Sequence, residues 1–168
     1  MNRALLTLES GEVTRYHAVP TVQPQNLAHH QWNVAVIGLF LWPTMRKELL
    51  VELLHHDTGE VVTGDIPYTI KRDYPELKRM LSVIEHDTRH DQLMVAPMDL
   101  TPEETALLKM ADTLDGFIWC AKHEQRGPVE ARWHEAYLVA RAKFGECFND
   151  ELWERADGLF ARFGGLIP

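Results

Sequence analysis

At 168 residues, 45% of them hydrophobic and 25% charged, the chain matches a single globular domain able to bury most of its apolar surface without a disulfide or structural metal. The formal net charge of −8 excludes the concentrated basic face of a nucleic-acid polymer binder, so any phosphate handled here belongs to a small molecule. Cys120 and Cys147 lack CxxC spacing and read as thiols of a reducing compartment, and no apolar run approaches the ~20 residues of a membrane span; a cytoplasmic protein without membrane contact is expected.

Helical periodicity dominates the chain, and the expected fold is all-α: one bundle of about six or more helices spanning residues 1–168 as a single domain. Asn26 caps a helix through Leu27, Val34, Ile37, Leu39 and Leu41, which stops at Trp42-Pro43, where proline removes a donor. That helix carries His29 and His30. A second, from about Thr44, has Leu49, Leu50, Leu53 and Leu54 at spacings of three and four, and is expected to run on through His56 and Asp57 to Glu60. Gly64 and Pro67 mark a loop in TGDIPYTIK. Asp73 and Pro75 open a helix through Leu77, Leu81 and Ile84 to about His90. Thr101-Pro102-Glu103-Glu104 is a capping box with proline at the first helical position, followed by Leu107, Leu108, Ala111, Leu114 and Ile118, with Asp112 inside. Gly127-Pro128 ends this helix, and two more follow, about Val129 to Phe144 and Asp150 to Phe163, separated around Gly145. No alternating strand pattern stands out.

An isolated histidine on an apolar helix is more often packed than ligating. The combination of His30, His56, Asp57 and Asp112 differs, because three helices contribute and each residue lies among apolar neighbours that turn it inward. A buried carboxylate without a partner is expensive, whereas one bonded to a cation is not. Mixed imidazole and carboxylate donors suit a divalent transition metal and leave positions open for water and a substrate oxygen. Such a cation polarises a phosphoryl group and lowers the pKa of bound water. His29 and His55 are rival ligands that spacing does not exclude.

A lone His, then His-Asp, then a distant Asp resembles the HD-domain phosphohydrolase superfamily. Arg15-Tyr16, Asn26-Leu27-Ala28-His29-His30, HHDTGEVVTGDIP and Lys109-Met110-Ala111-Asp112 resemble, within it, the small 5′-deoxynucleotidases and their phage relatives, which include dATP triphosphohydrolases. The similarity covers about the first two thirds of the chain. It implies that His30, His56, Asp57 and Asp112 bind a divalent cation (Co, Mn, Zn or Mg), that Glu60 positions or activates the attacking water, and that Asp65 contacts the sugar 3′-hydroxyl. It also implies that Arg15 binds phosphate, with Lys71 a second phosphate candidate, and that Tyr16 stands where the family often has the tryptophan that excludes a 2′-hydroxyl. His29 replaces a glutamate common in the family. The expected substrate is a deoxynucleoside 5′-monophosphate, with a deoxynucleoside triphosphate cut to release triphosphate as the alternative, and a non-catalytic nucleotide-binding module as a further one.

His86 and His90, one helical turn apart among acids, have metal-pair spacing but read more simply as a charged helix end. Asp115 reads as an acid outside the metal shell or on the helix surface. The five tryptophans are spaced as core or interface positions rather than as a stacking surface for single strands. The resemblance implies a homodimer or higher homo-oligomer, to which Trp133, Trp153 and Phe160 are expected to offer an apolar contact.

Overall fold

The computed structural model describes residues 2–16, 23–123, 128–148 and 150–164. In chain order the elements are α1 (Arg3–Ser10), β1 (Thr14–Arg15), β2 (Gln25–Asn26), α2 (Leu27–Leu41), α3 (Lys47–His55), α4 (Glu60–Thr63), α5 (Tyr68–Asp73), α6 (Pro75–Gln92), α7 (Pro102–Lys122), α8 (Pro128–Cys147) and α9 (Asp150–Gly164). The all-α expectation is met. Among the described residues no helix is long and apolar enough to cross a membrane. The chain forms two compact units, one of Met1–Gln31 with His55–Met98, the other of Trp32–Leu54 with Asp99–Pro168.

In the first unit, Asn2 caps α1 by accepting the Ala4 N–H at 3.0 Å. Strands β1 and β2 pair antiparallel, Thr14 opposite Asn26 and Arg15 opposite Gln25. Two-residue strands are too short to display a period, which is why the sequence pattern does not reveal them. Helices α4 and α5 pack on α6, and α4 also meets α1. Gly59, just before α4, lies so close to α6 that a Cβ would stand 2.5 Å from the Glu85 carbonyl oxygen. The far end of α6 is tied to α1 by Arg3 Nη2 donating to Asp91 O (2.8 Å) and Met94 N–H donating to Thr7 Oγ1 (3.0 Å).

The second unit is built around α7, which is buried along most of its length from Leu107 to Cys120. Its capping box forms as expected: Thr101 Oγ1 accepts the Glu104 N–H and Glu104 Oε2 accepts the Thr101 N–H. Arg46 adds a two-pronged contact to the same glutamate at 2.6 and 2.8 Å. Val34, Leu41, Leu49 and Leu53 pack with Leu107, Met110, Leu114, Phe117, Tyr137 and Phe144 into one cluster. Phe160 stacks on Tyr137 at 3.8 Å and on Phe117 at 4.4 Å. Trp133, Trp153 and Phe160 therefore pack against this unit's own core. Gly116 leaves room for the Trp133 ring.

Several boundaries differ from expectation. Helix α3 stops at His55 instead of continuing to Glu60, because Thr58 donates both its N–H and its hydroxyl to the His55 carbonyl and closes a turn. Glu60 then begins a separate four-residue helix. A short helix, α5, occupies part of the TGDIPYTIK segment. Helix α8 runs through Gly145 to Cys147; an interior glycine costs only about 1 kcal/mol, and Trp153 packs over it. Gly127 lies outside the described residues. On α6 the expected apolar residues Leu77 and Ile84 are exposed, while Leu81, Thr88 and Arg89 are buried.

Candidate active site

Three backbone segments of the first unit bring the expected residues together. Asn26 Oδ1 accepts the His29 N–H at 2.9 Å and fixes the start of α2. Leu27, His30 and Val34, three and four apart, are all fully buried, so His30 lies on the inward face while His29 is exposed. His56 and Asp57 occupy the turn closing α3, where the His56 carbonyl accepts Arg89 Nη1 at 3.3 Å. Strand β1 supplies Arg15, which is buried.

These segments converge on one atom. Asp57 Oδ2 lies 3.1 Å from Arg15 Nη1, 3.4 Å from His56 Nε2 and 3.5 Å from His30 Nε2. The His30 and His56 rings are tilted at 58° with centroids 5.3 Å apart, and a ligand nitrogen of each lies within 4.8 Å of the other. Burial opposes ionisation of Asp57, yet the His56 charge, hydrogen bonds from His30 and His56, and the Arg15 guanidinium hold its carboxyl well below the usual carboxylate range. Two imidazole nitrogens facing an ionised carboxylate oxygen are a donor set of the kind that holds zinc or a similar divalent cation.

Glu60, at the head of α4, is buried, and Lys71 Nζ approaches its Oε1 at 3.3 Å. Its Oε2 is buried without a hydrogen-bond partner among the described residues. Burial first, then the Asp57 charge, pushes the Glu60 carboxyl up to about 8, against the opposing pull of Arg15 and Lys71, with Asp65 adding to the rise. Burial disfavours the Lys71 ammonium, but the charges of Glu60, Glu85 and Asp57 raise its pKa overall. Lys71, the second phosphate candidate, meets the Glu60 carboxylate in this structure.

Asp65 Oδ2 accepts the backbone N–H of Tyr16 at 3.1 Å. Tyr16 has φ +60°, a left-handed conformation uncommon outside glycine and asparagine, and Asp65 stabilises it. The Tyr16 ring centroid lies 5.7 Å from the Arg15 guanidinium carbon. Glu85 was not anticipated as part of this neighbourhood: its Oε1 accepts the Thr63 hydroxyl at 3.0 Å, and burial raises its carboxyl pKa, with Lys71 and Thr63 opposing. The signal was available, since Glu85, Thr88 and Arg89 follow Leu81 by four, seven and eight residues on one helical face.

Asp112 belongs to the second unit, half-buried on α7 with Lys109 Nζ at 2.8 Å from its Oδ2. Asp115, one turn on, is buried rather than on the surface and accepts Asn33 Nδ2 at 2.7 Å. His55 is half-buried at the end of α3. His86 and His90 are exposed, each beside the aspartate that follows it, at 3.3 and 2.8 Å. Neither joins a group of three metal donors among the described residues.

The sequence model of the YfbR-like 5′-deoxynucleotidases matches residues 11–152. The chain belongs to this family. A dATP triphosphohydrolase of Salmonella phage PMBT28 is 31% identical, covering 89% of this chain and 84% of the phage protein. A 5′-deoxynucleotidase of Vibrio parahaemolyticus is 26% identical over 70% of this chain and 72% of its own length. Among solved structures, the HD phosphohydrolase DatZ of cyanophage S-2L, bound to dA and one catalytic Zn2+ ion, shares the fold with a TM-score of 0.73 at 23% identity, covering 98% of this chain and 96% of DatZ. The family model and both relatives carry the names of enzymes that hydrolyse nucleotide phosphate esters, and this YfbR-like protein is accordingly a phosphohydrolase.

Proposed function

We propose that the enzyme hydrolyses 2′-deoxynucleotides, removing the 5′-phosphate from deoxynucleoside monophosphates, with His30, His56, Asp57 and Asp112 holding a divalent cation. The observation that carries this reading is the convergence of His30, His56 and Arg15 on Asp57 Oδ2 in a chain of the YfbR-like family. When bound, the cation supplies Lewis-acid polarisation of the phosphoryl oxygens and acidifies water.

The remaining chemistry falls to the chain's own groups. Arg15 offers its guanidinium to the phosphoryl oxygens, whose negative charge grows as the phosphorus is attacked. Glu60 Oε2 takes the proton of the attacking water, the P–O5′ bond breaks, and the same carboxyl returns the proton to O5′. Burial of this carboxyl, which raises it above the ordinary range in the metal-free protein, favours the return of the proton to O5′. Asp65 holds the sugar 3′-hydroxyl, and the Tyr16 ring, fixed by its left-handed backbone, forms a wall beside the 2′ position that favours deoxyribose.

The phage relatives favour a second reading, in which a deoxynucleoside triphosphate is cut between the α-phosphorus and O5′. Both substrates present the same phosphorus to the same groups. The proposal further includes a homo-oligomeric, cytoplasmic enzyme. Sedimentation equilibrium tests its assembly: a monomeric mass at micromolar concentration removes that part.

Inorganic phosphate from dAMP, dGMP, dCMP or dTMP, in preference to ribonucleotides and dependent on added divalent metal, is the expected result. Intact triphosphate from dNTPs with inert dNMPs would replace the first reading with the second.

A further inference from the structure

We propose that Lys71 is the positioning residue of Glu60, its ammonium holding one carboxylate oxygen so that the other is presented to the reacting water. The inference rests on the role given to Glu60 above and gives Lys71 a role other than the phosphate contact for which it was a second candidate.

Glu60 opens a helix of only four residues, which cannot set its own orientation because a single turn is unfavourable in isolation. The backbone of α4 is fixed from outside at both ends. Before it, Gly59 lies directly on the Glu85 backbone, with the position of an added Cβ 2.5 Å from Glu85 O and 2.8 Å from its Cα. At its end, the Thr63 hydroxyl donates to Glu85 Oε1 at 3.0 Å. These contacts place the Glu60 Cα but leave a flexible side chain to be aimed.

Lys71 supplies the aim. Its Nζ reaches Glu60 Oε1 at 3.3 Å from α5, the next helix, while Oε2 has no hydrogen-bond partner among the described residues. The other charges bearing on Glu60 come from Asp57 after α3, Arg15 on β1 and Asp65 after α4. Of the two cations, Arg15 is engaged with Asp57, 3.1 Å away. Lys71 is the cation hydrogen-bonded to Glu60, and Glu85 adds a second negative charge that keeps the ammonium among carboxylates. Glu60 thereby has one oxygen anchored and one available, the arrangement a water-directing carboxylate requires.

The test compares metal-loaded wild type, Lys71→Met, Lys71→Arg, Glu60→Gln and the Lys71→Met/Glu60→Gln double variant, using deoxynucleoside monophosphates and triphosphates, together with crystal structures of the metal-loaded wild type and Lys71→Met. Lys71→Met is expected to lower kcat tenfold or more with KM changed less than threefold, and Lys71→Arg to recover part of the loss. The double variant is expected to be no slower than Glu60→Gln alone, and the Glu60 carboxylate to swing away in the Lys71→Met crystal. A raised KM with unchanged kcat would identify a phosphate contact and overturn the proposal, as would a Glu60 carboxylate unmoved in the variant crystal. Full activity in Glu60→Gln would remove the reading of Glu60 as the water-directing group, while a displaced carboxylate in Lys71→Met would still support the positioning contact. If the wild type turns over neither substrate, the two crystals alone decide.

Discussion

Replacing Glu60 by glutamine should remove the pH dependence that this residue imposes on folding. In the metal-free protein the Glu60 carboxyl rises from 4.5 to about 8, and each pH unit is worth about 1.4 kcal/mol. Ionising it in the folded state therefore costs up to about 5 kcal/mol more than in the unfolded chain; the side chain is 4% exposed, which leaves little room for solvent screening. Between those two values the folded state keeps a proton that the unfolded state has lost. The stabilising contribution is thus complete below pH 4.5 and disappears as pH rises to about 8. Asp57 does not mask the effect, because its depressed carboxyl stabilises above the ordinary carboxylate range and loses that contribution only as pH falls further. The assay is urea denaturation of chelator-treated wild type and Glu60→Gln from pH 5 to 9. Titrating groups remote from Glu60 are common to both proteins and cancel in the difference. Glu60→Gln should gain several kcal/mol on wild type across this range; a difference constant to within about 1 kcal/mol would refute the burial argument.

Other outcomes follow from separate parts of the structure. Asp57→Ala should lose bound metal, measured by elemental analysis of the dialysed protein. It should also lose metal-dependent thermal stabilisation, which for a site held at a thousandfold its Kd amounts to about 4 kcal/mol. Gly59→Ala must push a Cβ against the Glu85 backbone and should destabilise by about 1–3 kcal/mol in urea titration, with kcat falling because α4 shifts. In the second unit, Tyr137→Phe removes a 2.7 Å hydrogen bond to Asp157, an aspartate also gripped by Arg141, and should cost about 1.5–3 kcal/mol of stability with KM unchanged.

The features legible in the sequence were those written in local chemistry. The Asn26 cap, the Trp42-Pro43 stop and the Thr101–Glu104 capping box each depend on neighbours within four residues, and all three stand as read. The choice of His30 over His29 for the inward face was left open by the pair itself. It is decided by burial, since His30 shares a face with Leu27 and Val34. What the sequence did not reveal depends, apart from one local turn, on partners far along the chain. Helix α3 ends at His55 through a local turn that the leucine spacing hid, and Glu60 reaches the site from a separate short helix rather than as the next turn of α3. Glu85 and Arg89 lie on the inward face of α6, where Leu77 and Ile84 drew attention to the exposed side. The Lys71 contact joins two short helices whose packing on α6 no period encodes.

The most direct test is incubation of the metal-reconstituted protein with matched deoxy- and ribonucleoside mono- and triphosphates, followed by chromatographic separation of products. The account predicts deoxynucleoside and inorganic phosphate from the deoxynucleoside monophosphates, abolished by chelation and by Asp57→Ala; absence of turnover of any deoxynucleotide with any divalent metal would contradict it.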